Sequence, residues 1–383
     1  MTRVRRLVDG TRCKYTDILI WLGRVAVEPF WFQRAISESG MRLDRRHWCA
    51  TLMIFASVLV TQAEAGEVLD SVKSRGQLRC GVSEGIPGFS ERDAEGRWRG
   101  LDVDFCRAVA AAVLDDPDKV EWVPLYASAR FPALQSRKVD LLIRNTSWTL
   151  TREAVLKVQF PGILYYDGQG FLVPAAAGIE TLADLAGATV CVEKGTTHRR
   201  NLETYFAAHG WSVEPLVMDS APETAQAFFD GRCRAYTSDA AQLAAMRLLA
   251  PAQREADLIL PERISKEPLS PVVWRGDPEW TTLVRWVLNA LILAEEYGVN
   301  RANIDAVDAE GTNPLVRRTD DERGLIARAL GVEPRWGIRA VRAVGNYGEM
   351  FERNVGRDSP LKIERGLNRL WTEGGLHYVP PLD

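Results

Sequence analysis

The sequence predicts an α/β fold built as two lobes, each a mostly parallel sheet with flanking helices. Three observations predict it. A β-α-β-α-β rhythm runs from Leu78 to Ile143, and the same rhythm returns after Gly178. Two extended stretches with few helical signals, 165–173 and 258–273, lie where the chain would cross between the two lobes and act as a hinge. The length of 383 residues suits two domains of about 100–200 residues each. A composition of 46% hydrophobic and 26% charged residues excludes a disordered chain.

The chain begins with a leader, residues 1–65. From Met41, three arginines (Arg42, Arg45, Arg46) precede an apolar run from Trp48 to Val60 and then Ala63-Glu64-Ala65. These are the three parts of a secretory signal, with the signal proper at 41–65 and cleavage expected after Ala65. The apolar run is well short of the roughly 20 residues that a spanning helix needs. The forty residues before Met41 set this signal unusually far from the start, as a misassigned start site would. No later run reaches spanning length, so the mature chain from Gly66 is expected to be soluble and exported.

The elements then follow in order. Leu78–Val82 reads as a strand between a polar stretch and the turn residues of GIPGFS. LDVDFCRAVAAAVL places Leu101, Phe105, Ala108, Val109 and Ala112 at helical spacing, with Asp102 and Asp104 at the positive end of the helix dipole. Residues 120–125 read as strand, 130–136 as helix and 139–143 as strand. After Gly178 come a helical turn near 182–185, strand 189–192, helix 198–208, strand 213–218, helix 223–229, strand 235–237 and helix 240–249. The helix after Pro278 carries Trp280, Leu283, Trp286, Val287, Ala290, Leu291 and Ala294 on one stripe, which predicts packing on the first lobe.

Charge and residue usage exclude several functions. Residues 1–65 hold 10 Lys/Arg and 6 Asp/Glu, so the remainder carries 38 against 45, a net −7. A phosphate-reading surface needs a basic excess, so nucleic acid is not an expected partner. Only four histidines occur (His47, His198, His209, His377), so a multi-histidine metal site is hard to assemble, and no cofactor is implied. Beyond the leader four cysteines remain, Cys80, Cys106, Cys191 and Cys233, an even number in an oxidising compartment. The sequence allows three pairings or four free thiols; the pairs 80 with 106 and 191 with 233 would each stay within one lobe.

Open α/β sheets bind ligands beyond the carboxyl ends of their strands. Three such places carry polar groups: Arg144 to Arg152, Glu193 to Thr197 at a helix start, and Ser238-Asp239. The guanidinium of Arg152 can hold a carboxylate by two charge-assisted hydrogen bonds, each contributing on the order of 1.5–3 kcal/mol. The helix start at Gly195-Thr196-Thr197 favours the same anion, and Asp239 suits an ammonium group. A cation site and an anion site on one cleft fit a free α-amino acid better than a sugar or a metal ion. Each feature alone has an ordinary structural explanation: a solvated arginine, or a helix cap.

The stretches GLDVDFCRAVAAAV, PLYASARFPALQSRKVDLLIRNTSWTLTRE, YYDGQGFLV, GATVCVEKGTT, GRCRAYTSDAAQLAA, LPERISKEPLSPVV and VGNYGEMFERNVG resemble the general L-amino-acid-binding proteins of polar-amino-acid ABC importers. The likeness covers essentially all of 66–383, including the four cysteines. It implies a periplasmic, two-lobed type II solute-binding fold: lobe 1 at 66–172, lobe 2 at 173–262, and a return to lobe 1 with C-terminal helices at 263–383. It further implies that Arg152, assisted by Thr196, holds the ligand α-carboxylate and that Asp239 holds the α-ammonium. Asn145 and Ser147 would line the cleft, and Arg130 and Glu193 would lie nearer the ligand side chain. The implied partners are a free L-amino acid and membrane permease subunits, with the protein itself a monomer that closes on its ligand. The cleft mouth, Ser83 to Phe89, lacks a basic residue that some acidic-amino-acid binders place there.

Two enzyme readings compete with this. Gly81-Val-Ser-Glu-Gly85 satisfies G-x-S-x-G, but Ile86-Pro87-Gly88 follows where a nucleophile elbow must turn into a helix, and His377 has no evident acidic partner. A dehydratase acting on prephenate-type acids on the same fold would need a proton-transfer group, for which Glu193 is the only good candidate. A binding protein needs none.

Overall fold

The computed structural model describes residues 66–254, 256–319 and 324–382; the leader and its expected cleavage site lie outside the described residues. The chain opens with α1 (Glu67–Arg75), which buries Val68, Leu69 and Val72. Sequence reading took its end for a polar lead-in, because only nine residues carry the pattern. β1 (Leu78–Val82) and α2 (Leu101–Leu114) keep the expected limits, and between them lies a small hairpin of β2 (Glu91–Arg92) and β3 (Trp98–Arg99). β4 (Val120–Pro124), α3 (Arg130–Gln135) and β5 (Leu141–Leu142) follow. β5 is shorter than expected by pattern, although Asp140 and Ile143 extend its bonding to Arg79 and Gly81 at 2.9 and 2.8 Å.

The first sheet has the order β4-β1-β5, all parallel. α2 covers it and is buried along nearly its whole length, from Leu101 to Val113. Next come α4 (Leu150–Val155), β6 (Val158–Gln159), and the first crossover, β7 (Tyr165–Asp167) leading into β8 (Gln169–Val173). The second lobe contains β9 (Thr189–Glu193), α5 (His198–Ala208), β10 (Glu214–Met218), α6 (Ala221–Phe229), β11 (Ala235–Asp239), α7 (Ala240–Arg247) and β12 (Leu258–Ile259). Its sheet order is β10-β9-β11-β8-β12; the first three strands are parallel, β8 enters antiparallel to β11, and β12 leaves antiparallel to β8. The expected helix at 182–185 is a single 3-10 turn closed by a Thr181–Asp184 capping box.

The second crossover is β13 (Glu267–Leu269), antiparallel to β7, followed by β14 (Val273–Trp274) on β6. α8 (Pro278–Glu296) then returns to the first lobe with Pro at its first turn and Asp277 as its cap, accepting from Trp280 N–H at 2.8 Å. The same carboxylate accepts from Val68 N–H at 2.8 Å, fastening α1 to the start of α8. α9 (Ile304–Glu310), α10 (Pro314–Thr319), α11 (Leu325–Ala329), α12 (Trp336–Val344) and α13 (Tyr347–Asn354) complete the described helices. The buried stripe of α8 packs with α2, α12 and α13 in one continuous core. Each fully buried Leu, Val or Phe there contributes about 1.5–3 kcal/mol.

Each lobe carries one disulfide. Cys80–Cys106 ties β1 to α2, and Cys191–Cys233 ties β9 to the turn before β11. Among the described residues, no helix is long and apolar enough to cross a membrane.

Candidate functional site

The carboxyl ends of both sheets face one another, and the residues expected to bear chemistry collect there. β9 and β11 run on to Glu193 and Asp239, so these carboxylates sit at strand ends, 1% exposed each. Arg152 stands in α4, whose cap Thr149 accepts from Arg152 N–H at 3.2 Å. Its guanidinium donates to Ser147 O at 2.8 Å and lies 5.3 Å from the centre of the Phe131 ring. Burial lowers its pKa to about 10, against the opposing pull of Glu267 and Asp239. The charge of Asp239, at a strand end of the second lobe, thus acts on Arg152 of the first.

The two lobes touch directly. Arg130 donates to Arg144 O at 3.2 Å within the first lobe and to Gly195 O at 3.2 Å in the second. Gly195 has φ +79°, and a Cβ there would stand 2.7 Å from Ser128 Cα, so this approach requires glycine. Arg144 donates to Leu125 O at 2.6 Å, to Glu193 at 2.8 Å and to Glu84 at 3.3 Å. Both members of the Arg144–Glu193 pair are nearly fully buried. Burial works against the Arg144 charge, but Glu193 and Glu84 outweigh it and raise its pKa. Arg130, by contrast, is pushed well down by burial and by the cations of Arg152 and Arg144.

Asp239 is braced from behind by His198, whose Nε2 lies 3.0 Å from Oδ1. Burial raises the Asp239 pKa and His198 opposes this. Burial also pushes the imidazole down, yet the charge and hydrogen bond of Asp239 prevail and raise it. Glu267 completes the group, accepting from Thr197 Oγ1 at 3.1 Å, Asn201 Nδ2 at 2.8 Å and Ser265 Oγ at 2.6 Å. Donor atoms of His198, Asp239 and Glu267 lie within 4.8 Å of one another, the spacing of a cation pocket. Both Glu267 oxygens already accept from protein donors, Oε1 from Asn201 and Ser265 and Oε2 from Thr197.

The remaining expected residues take varied places. Thr196 is half-buried, donating to Glu193 O at 2.8 Å and accepting from His198 N–H at 3.3 Å, so its hydroxyl shapes the helix start. Ser147 is buried and bridges to Leu269 of the second crossover. Asn145 has φ +37°, and both polar atoms of its carboxamide are buried without a hydrogen-bond partner among the described residues. Arg130 Nε and His198 Nδ1 are unpartnered in the same sense. Sequence reasoning did not single out Arg144, His198 or Gln242. The last donates to Tyr236 OH at 3.1 Å and approaches Glu193 at 3.5 Å. The position of His198 at the start of a helix directly after Glu193 to Thr197 was the one available signal.

Asp102, at the start of α2, is held beside Asn145 at a small cavity. Burial raises its pKa to about 7 from an ordinary 3.8, against the lowering effects of Arg144 and the Asn145 backbone N–H. The folded state thus keeps this proton where the unfolded chain has lost it. Stability from this group is greatest below pH 3.8 and falls as pH rises to about 7. Asp102→Asn is expected to stabilise the protein by on the order of 3 kcal/mol at pH 8 and much less at pH 4. Paired urea titrations at the two pH values check it; an equal effect at both contradicts the assignment.

Comparison with known proteins now defines the class. Residues 78–301 match the bacterial extracellular solute-binding proteins, family 3, and the chain belongs to that family. It is 45% identical over 336 residues to the general L-amino acid-binding periplasmic protein AapJ of Rhizobium johnstonii, covering 86% of this chain and 97% of that protein. It is 46% identical over 326 residues to the glutamate/glutamine/aspartate/asparagine-binding protein BztA of Rhodobacter capsulatus, covering 85% and 96%. Among solved structures, an ABC transporter periplasmic binding protein from Brucella ovis with glutathione bound superposes with a TM-score of 0.79 at 45% identity, covering 82% of this chain and 99% of that one. The fold is therefore the two-lobed type II periplasmic binding fold, with β7–β8 and β12–β13 as its crossovers.

Proposed function

We propose that this protein captures free L-amino acids in the periplasm and delivers them to the permease subunits of an ABC importer. The observation that carries this reading is a buried guanidinium, Arg152, on the first lobe and a buried carboxylate, Asp239, at a strand end of the second, with the Asp239 charge acting on Arg152. In this reading the ligand α-carboxylate takes Arg152, with the helix start at Thr196 behind it, and the ammonium takes Asp239 and Glu267. Asn145 and Ser147 line the first-lobe wall. Arg130 and Glu193 face the ligand side chain, and with Arg144 and Gln242 they offer both donors and acceptors, which favours polar amino acids. Closure is driven by the ligand because only the closed form presents both charges at once.

The names of the relatives support the ligand class: AapJ and BztA are named for amino acids, and the Brucella ovis protein holds glutathione, which carries an amino-acid end of the same zwitterionic form. No proton-transfer step is proposed for Glu193, whose oxygens are taken up by Arg144 and Gln242. Export through the signal at 41–65 with cleavage after Ala65, and action as a monomer, belong to the same proposal. The expected bounds of 66–172, 173–262 and 263–383 shift: since Gln169–Val173 pairs within the second sheet and Glu267 is held by Thr197 and Asn201, we draw lobe 1 at 66–166, lobe 2 at 167–267 and the return at 268–383.

Native mass spectrometry of the exported protein tests this reading. The expected result is a retained mass of one free amino acid, displaced by an added amino acid. A protein that retains none, and takes up none from an equimolar set of the twenty, overturns it.

A further inference from the structure

The hinge ribbon changes allegiance between two adjacent residues on each strand. On β7, the side chain of Asp167 accepts from Gly168 N–H at 2.7 Å and from Ala241 N–H of α7 at 2.9 Å, which binds it to the second lobe. Its neighbour Tyr166 is bound to the first. On β13, Glu267 is held by Thr197 and Asn201 of the second lobe. The next residues bond to the first lobe: Pro268 O accepts from Trp148 N–H, Leu269 O from Leu164 N–H, and Ser270 N–H donates to Thr146 O, each at 2.9 Å. Asp167 pairs with Glu267 and Tyr166 with Pro268 in the ribbon register. The two switch points therefore lie side by side.

What binds Tyr166 to the first lobe is a C-terminal strap, which lies beyond residue 301 where the family match ends. The Asn368 carboxamide accepts from Tyr166 N–H at 2.7 Å and donates to Tyr166 O at 3.0 Å, satisfying both backbone groups on the open edge of β7 as a third strand would. Asn368 is 3% exposed. Its own carbonyl accepts from Arg365 at 3.1 and 2.8 Å, and Arg365 pairs with Glu295 near the end of α8 at 2.6 and 3.2 Å. Tyr166 OH donates to Leu376 O at 3.2 Å, and the buried His377 ring packs between Tyr166 and Tyr347 at 5.3 and 4.3 Å. Tyr347 OH in turn donates to Leu164 O at 2.9 Å.

We propose that Asn368 is a positioning residue for ligand capture: it clamps Tyr166 to the first lobe and so confines hinge rotation to the paired steps Tyr166–Asp167 and Glu267–Pro268. This rests on closure as the capture step. A clamped pivot limits the open state to a narrow set of lobe orientations, so less conformational freedom is lost on closing. Without the clamp, bending spreads to Leu164 and Tyr165, the open ensemble broadens and affinity falls.

Spin labels at Glu121→Cys and Thr204→Cys, exposed positions on the two lobes, report the distance distribution by double electron–electron resonance. In the ligand-free protein Asn368→Ala is expected to widen that distribution about twofold and to weaken amino-acid binding about tenfold. Asn368→Asp keeps the acceptor and deletes the donor, and should give an intermediate width. Asn354→Ala removes a carboxamide from Asp104 and Met350 O, away from the hinge, and should leave the width unchanged. An Asn368→Ala or Asn368→Asp width equal to that of the parent overturns the clamp. If the parent itself closes on no amino acid, the capture reading fails, while the ligand-free widths still decide the clamp.

Discussion

Replacing Arg152 with alanine is expected to abolish amino-acid binding, an affinity loss of about a thousandfold or more, while leaving the fold intact. In the proposed role the fork of Arg152 supplies charge-assisted hydrogen bonds of about 1.5–3 kcal/mol each to the ligand carboxylate. Deleting it also leaves that carboxylate desolvated against Phe131 with its charge unmatched, which costs several kcal/mol more. The fold has little at stake, because among the described residues the side chain's hydrogen bond is to Ser147 O alone, and α4 is a short helix with exposed apolar residues, Leu150 and Val155. Lysine at the same place should recover only part of the affinity, since a point charge does not reproduce the fork. Isothermal titration calorimetry decides the outcome, with circular dichroism as the check on folding; unchanged affinity contradicts the role.

Asp239→Asn carries the second large effect, a loss of about a hundredfold or more. The substitution keeps size and one acceptor but removes the charge that meets the ammonium. It also strips His198 of the carboxylate that holds its pKa up. The imidazole then reverts toward the neutral form favoured by burial, so the remaining affinity should lose the pH dependence that the raised His198 gives the parent above the ordinary histidine range. Calorimetry at a mildly acidic and a mildly alkaline pH measures both features. An Asn variant with parental affinity would move the ammonium site onto Glu267 alone.

Much of this architecture was legible in the sequence because its signals are local. Leu101 to Leu114 reads as a helix from its own periodicity, and Leu78 to Val82 as a strand from the turn residues around it. The site was partly legible for a topological reason: strand ends in an open α/β sheet face the cleft, which led to Arg152, Glu193 and Asp239. What escaped was set by contacts far apart in sequence. Arg144 gains its importance from Glu193, 49 residues on, and Asn368 from Tyr166, 202 residues back. No spacing rule in either segment encodes such a meeting. Thr196 illustrates the reverse: its hydroxyl is spent on the helix start, so in the proposed site an anion would meet the backbone there instead.

The disulfides show the same division. Counting left three pairings or four free thiols open, whereas the folded chain joins Cys80 to Cys106 in one lobe and Cys191 to Cys233 in the other, so among the described residues neither disulfide links the lobes.

The central claim is that one zwitterion spans the two lobes, its carboxylate on Arg152 and its ammonium on Asp239. Calorimetry on the unmodified protein tests it with a single bound amino acid in three forms: free, as the α-carboxamide, and as the N-acetyl derivative. The account predicts that blocking either end weakens binding by about a hundredfold or more, because each leaves a buried charge unpaired. Retention of full affinity by either blocked form would contradict it.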